Sequence, residues 1–160
     1  MIDTYVIIGY NGKISKDKRG VEDAITEAYN MIQVAHEMID VVREERNRLK
    51  DPLLKDLDLK IGMNTGKIVA GIIGTKVVRY DIFGQGVLVS NLVMHKATPG
   101  IVTVSEQMRR LISRKPFIFD TFDWQEAGQL QVPGTEIKVR MFTVEQIFAE
   151  LDSISEDNEI

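Results

Sequence analysis

Between Val21 and Val42 the apolar residues Val21, Ala24, Ile25, Ala28, Met31, Ile32, Ala35, Met38, Ile39 and Val42 recur at steps of one, three and four. That spacing draws one continuous stripe along a helix of about six turns and is incompatible with a strand. Glu22, Asp23 and Glu27 stand near its start, where negative charge suits the positive end of the helix dipole. Asp51-Pro52 marks where it has ended, because a residue before proline is pushed out of the helical region. The methionines fall on the helical period and read as core. A stripe this long needs a broad apolar surface to cover, and the rest of the chain offers short strands to build one.

Residues 3–9 are β-branched and aromatic and are stopped by Tyr10-Asn11-Gly12, the pattern of a strand entering a turn. Residues 13–20 are basic, carry no hydrophobic period and read as a loop. Beyond the long helix, residues 57–64 and 68–74 are two strand-like runs around Thr65-Gly66. A second helix is expected over 87–96, closed by Pro99-Gly100. Residues 101–104 read as a buried strand, after which Ser105-Glu106 can cap a short helix over 107–112. Strands are expected over 117–124, 128–132 and 138–144, with Pro133-Gly134 turning between the last two. The order indicates an α+β fold with helices against one sheet. Residues 1–148 form the domain, and 149–160 an acidic tail.

With 160 residues the chain has room for one domain with a real core. It contains no cysteine, which excludes disulfides, thiolate metal sites and cysteine nucleophiles. His36 and His95 are its only histidines, so a zinc site of the usual kind is not expected. A metal would be held by oxygen ligands, which favours magnesium, manganese or calcium. A net charge of -4 with mixed signs gives no reason to expect nucleic acid or a lipid surface as partner. No apolar run reaches bilayer length, and no signal peptide opens the chain. The expectation is a cytoplasmic chain, with or without membrane attachment through a longer parent.

The block Leu59-Lys60-Ile61-Gly62-Met63-Asn64-Thr65-Gly66-Lys67-Ile68-Val69-Ala70-Gly71-Ile72-Ile73-Gly74 resembles the central signature of the class III adenylyl and guanylyl cyclases. Tyr80-Asp81-Ile82-Phe83-Gly84 follows at that family's spacing, and then Pro99-Gly100-Ile101-Val102-Thr103-Val104-Ser105-Glu106. One glycine motif would be weak, but three linked blocks in register cover nearly the whole chain. The resemblance implies a ferredoxin-like sheet covered by helices, here lacking its opening strand and first helices. It also implies pairing with a second cyclase domain, ATP or GTP as substrate, and two Mg2+ or Mn2+ ions.

The resemblance further implies roles for particular residues. Asp3, in Met1-Ile2-Asp3-Thr4-Tyr5, stands at a metal-ligand position, although Ile2 replaces the preferred glycine. Lys67 stands where an arginine of one cyclase half contacts the triphosphate; it can supply charge but not the forked geometry. Asp81 stands where a carboxylate can accept from the 6-amino group of adenine, favouring ATP over GTP. Its alternative role is that of a structural turn residue. The family's transition-state asparagine and arginine fall on Leu88 and Leu92, which cannot stabilise developing phosphate charge. The pattern resembles the metal-donating half of a heterodimeric cyclase.

Two functions stay open at this point. One is half of an enzyme, inactive alone; the other is a pseudocyclase serving dimerisation, nucleotide sensing or scaffolding. An aspartate-bearing strand ahead of Met1 would favour the first, a true initiator Met1 the second. Other polar residues have plain structural readings. Gly62, Gly66, Gly71 and Gly74 permit turns and close packing. His36 lies off the main stripe and is expected to be exposed, His95 caps a helix, and Arg79 and Arg140 are surface charges. A strand at residues 3–9 without its neighbour would leave an open edge, so the isolated chain is expected to be partly unfolded or to aggregate.

Overall fold

The computed structural model describes residues 4–9, 18–75 and 77–147. The long stripe becomes helix α1 (Lys18–Leu49), which buries Ile25, Ala28, Ile32, Ala35 and Ile39. It begins inside the segment expected to be a loop, because tertiary packing of the stripe carries the helix past the end of its apolar period. A 3-10 turn (Pro52–Leu54), capped by the Asp51 side chain accepting from Leu53 N–H at 2.8 Å, follows it.

The remaining elements are β1 (Ile61–Met63), β2 (Val69–Ile73), β3 (Arg79–Phe83), α2 (Gln85–Lys96), β4 (Val102–Ser105), α3 (Glu106–Ile112), α4 (Pro116–Phe119), β5 (Phe122–Gln131) and β6 (Lys138–Gln146). β1, β4, β6 and β5 form one sheet in that order; β1 and β4 are parallel and the other pairs antiparallel. β2 and β3 form a separate two-stranded antiparallel ribbon. The α+β expectation holds.

Two apolar layers sandwich the sheet. On one face α1 and α3 pack Ile32, Ile39, Met108 and Ile112 against Val102, Val104, Phe142 and Val144. On the other, α2 packs Val89 and Val93 against Leu130, Val132, Val139 and Met141. The alternation of β6 explains both, since Val139 and Met141 point one way and Phe142 and Val144 the other. Gly62 lets α2 approach, because a Cβ there would overlap the Met94 backbone. Ser90 Oγ, also on α2, donates to Gly62 O at 2.9 Å.

The C-terminal half of α1 is fastened to two loops. Arg43 Nη2 donates to Gly100 O at 2.7 Å, and its Nε lies 3.7 Å from Asp58 Oδ2. Arg46 Nη1 donates to Leu57 O at 3.0 Å, and Gly100 N–H donates to Leu59 O at 2.8 Å.

Several expectations are corrected. Residues 4–9 are not a strand: they pair with no other segment among the described residues, and Tyr5, Val6 and Ile7 are exposed. The open edge lies instead on β1, which pairs only with β4 among the described residues. Of the two runs around Thr65-Gly66, the first is a strand only over β1, which joins the main sheet, and the second becomes β2, which joins β3. Residues 117–119 are helical, with Pro116 at the start of α4, and β5 runs unbroken to Gln131 through a bulge between Glu126 and Gly128. Ser105 does cap α3, accepting from Met108 N–H at 3.3 Å. The boundary at 148 and the tail at 149–160 lie outside the described residues.

His36 is half-buried rather than exposed. Its Nε2 is 2.9 Å from Val144 O, and its ring stacks near Phe122 at 6.5 Å between centroids. Burial pushes its pKa below the ordinary imidazole value of 6.5, opposed by the charges of Asp40 and Glu145.

Candidate functional site at the junction of ribbon and helix

Lys67, Asp81, Leu88 and Leu92 all lie on the stretch that runs from the end of β1 through the ribbon into α2. Lys67 sits in the loop before β2 with its side chain exposed. Its carbonyl accepts from Gly86 N–H at 3.3 Å, so the loop rests on the first turn of α2. Gly84 makes the turn from β3 into α2 at φ 128°, a conformation open to glycine and rarely to other residues. A Cβ there would also come within 2.9 Å of Lys67 O.

Asp81 lies mid-ribbon, opposite Gly71. Its Oδ1 accepts from Ile82 N–H at 3.0 Å, and Oδ2 is 3.5 Å from Arg79 Nε. Arg79 is therefore an ion-pair partner, a role that its surface reading did not include. Leu88 and Leu92 stand one turn apart on α2. Leu88 is 44% exposed, whereas Leu92 packs against the Val89–Val93 cluster. Neither side chain offers a hydrogen-bond donor.

Arg140 is likewise engaged, pairing with Glu106 together with Arg110. The hydrogen bond from Arg140 is the main cause of the Glu106 carboxyl lying below its ordinary pKa. His95 is exposed in the last turn of α2, whose C-cap is Ala97, donating through its backbone N–H to Val93 O and Met94 O.

Asp3 lies outside the described residues. Among those residues no three histidine, aspartate or glutamate side chains come together as a metal site. The described part of the chain thus does not by itself fit a two-ion centre. No described helix is long and apolar enough to cross a membrane.

The ribbon is the other feature of this region. Val69, Ile72, Ile73, Tyr80 and Phe83 are all exposed large apolar residues. Strand alternation places Val69, Gly71, Ile73, Arg79, Asp81 and Phe83 on one face and Ala70, Ile72, Tyr80 and Ile82 on the other. The second face bears no charge, and Ile72 (73% exposed) lies directly across from Tyr80 (68%).

Residues 3–146 match the family described as the adenylate and guanylate cyclase catalytic domain. The chain belongs to that family. This cyclase domain is 31% identical over 110 residues to guanylate cyclase alpha of Plasmodium falciparum, covering 69% of the chain and 2% of that protein. It is 34% identical over 107 residues to adenylate cyclase type 9 of Gallus gallus, covering 63% of the chain and 8% of that protein. Among solved structures, the guanylyl cyclase Cya2 superposes with a TM-score of 0.63 at 22% identity, over 79% of this chain and 61% of the other. The adenylyl cyclase CyaB from P. aeruginosa gives 0.61 at 22% identity, over 79% and 60%. The cyclase domain thus has the class III fold and spans a small part of the curated relatives it matches. Class III cyclase domains work as dimers with a second cyclase domain, bind nucleotide and depend on Mg2+ or Mn2+.

The sequence did not single out Asn64, and it pointed to Ser105 only as a helix cap. Both lie inside the quoted motifs, yet only the folded chain brings them together: Ser105 Oγ donates to Asn64 Oδ1 at 2.6 Å.

Proposed function

We propose that this cyclase domain is one half of a class III nucleotidyl cyclase that turns ATP, and less readily GTP, into cyclic nucleotide and pyrophosphate when paired with a complementary domain. The observation that carries this reading is the bare apolar ribbon beside α2. A two-stranded ribbon is marginal alone, and one whose uncharged face presents Ile72 and Tyr80 to water calls for a covering surface. The occupant is a second cyclase domain, whose own residues must replace what Leu88 and Leu92 lack.

In the reaction the ribose 3′-hydroxyl loses its proton to solvent and its oxygen bonds to the α-phosphorus, as the bond from that phosphorus to the α–β bridging oxygen breaks and pyrophosphate departs. Lys67 offsets triphosphate charge from its exposed loop. Asp81 accepts from the adenine amino group with the oxygen facing Arg79, since the other already accepts from Ile82 N–H. The two ions, Mg2+ or Mn2+, require carboxylates beyond the described residues, Asp3 among them.

The test is a cyclase assay with Mn2+ and ATP or GTP, on the chain alone and mixed with a complementary domain that carries the transition-state asparagine and arginine. Product is expected only from the mixture. Product from the chain alone overturns the reading of Leu88 and Leu92. A mixture that pairs but makes no product favours the pseudocyclase, a module for dimerisation, nucleotide sensing or scaffolding.

A further inference from the structure

Four elements converge where β1 ends. Asn64, the residue after β1, donates from Nδ2 to Gly86 O at 3.0 Å and accepts at Oδ1 from Ser105 Oγ at 2.6 Å. Ser105 is fully buried at the end of β4 and in turn caps α3. One amide side chain therefore ties the end of β1 to the first turn of α2 and to the β4–α3 junction.

The Lys67 loop closes the same knot from the other side. Gly86 N–H donates to Lys67 O at 3.3 Å while Gly86 O receives Asn64, so both backbone groups of Gly86 are engaged. No side chain separates the two segments. A Cβ on Gly66 would stand 3.1 Å from Gly86 Cα, and one on Gly86 would stand 3.0 Å from Lys67 O. The loop and the helix start are in backbone contact, so a shift of one displaces the other.

We propose that Asn64 is a positioning residue for nucleotide binding: it holds the Lys67 loop and the start of α2 as one unit, fixing where the Lys67 ammonium meets the triphosphate. This rests on the reading of Lys67 as a phosphate contact. The side chain of Lys67 is exposed and flexible, so only its backbone can be preset, and Asn64 is the side chain that presets it. An amide is required, because the site needs a donor toward Gly86 O and an acceptor toward Ser105 Oγ from one short side chain. Aspartate keeps the acceptor and loses the donor.

The experiment is a double-mutant cycle on the chain paired with a complementary cyclase domain. Affinities for ATP and GTP are measured with Mn2+ by displacement of a fluorescent nucleotide. Lys67→Ala is expected to weaken both nucleotides about tenfold, the scale of one hydrogen bond to a charged group. Asn64→Ala is expected to weaken both about three- to fivefold and by the same factor, since phosphate and not base is affected. In the Lys67→Ala background Asn64→Ala should add nothing. Ser105→Ala, which frees the amide without removing it, should give a smaller loss of the same kind.

An Asn64→Ala loss that persists undiminished without Lys67 overturns the proposal while leaving the Lys67 reading intact. A silent Lys67→Ala overturns both. If Asn64→Ala does not fold, Asn64→Asp and Ser105→Ala carry the cycle, and additivity with Lys67→Ala in both refutes the inference.

Discussion

Replacing Ile72 with aspartate isolates the role of the ribbon from that of the core. Ile72 is 73% exposed, so the substitution removes almost no contact within the chain, and its melting temperature should hold. Pairing is another matter. Covering the exposed part of an isoleucine contributes about 1.5–2 kcal/mol, and a carboxylate left without a partner in its place costs at least ~1–2 kcal/mol more. The sum, about 3 kcal/mol, corresponds to a rise in dissociation constant of roughly a hundredfold or more. Tyr80 stands directly opposite, so an aspartate also spoils the patch that Tyr80 offers. Sedimentation velocity or calorimetric titration against a complementary domain reads this directly. Val34→Asp is the control: it introduces the same charge at an exposed apolar position on α1 and should leave pairing unchanged. Normal pairing by Ile72→Asp, with Val34→Asp also silent, would refute the assignment of the ribbon as the covered surface.

Ile32 is fully buried at the centre of the α1 layer, so Ile32→Ala should cost about 3 kcal/mol and lower the melting temperature by roughly 6–12 °C in a thermal scan. Gly62→Val should cost at least ~2 kcal/mol, since its side chain would meet the Met94 backbone, and a differential scan against Gly71→Ala, where nothing lies within 4 Å, checks it. His36 has its pKa lowered on folding, so the unfolded chain binds the proton more tightly. Its contribution is fully present above pH 6.5 and is lost as pH falls from there through the lowered folded value. Denaturant melts across that range should show the slope in the native chain and a flatter one in His36→Gln.

How much was legible in the sequence depended on where the deciding contacts lay. The α1 stripe and the Ser105 cap were readable because helical period and capping are local. Pairing was not: residues 57–64 and 68–74 flank a glycine-bearing turn as hairpin strands do, yet β1 finds β4 some forty residues onward and β2 finds Arg79–Phe83. The strand at β3 was hidden inside the Tyr80–Gly84 motif. Residues 4–9 have strand composition yet pair with no segment among the described residues, because a ladder is made by a partner segment and composition does not name one. His36 looked exposed by its place on the wheel; its ring instead reaches Val144 O across the sheet. Of the candidate site, the positions of Lys67 and Asp81 were readable from the motifs, whereas the Arg79 pairing and the Asn64 knot depend on side-chain geometry.

The fastening of α1 by Arg43 and Arg46 divides the helix into two regimes of local opening. Its last turns can detach only if the bonds to Gly100 O and Leu57 O break together, which ties their amides to the opening of the β1 and β4 approaches. The first turns have no such tether among the described hydrogen bonds. Deuterium should therefore enter α1 from its N-terminal end. The amides of residues 39–46 should exchange with those of the sheet, as one cooperative unit with the strands that α1 covers.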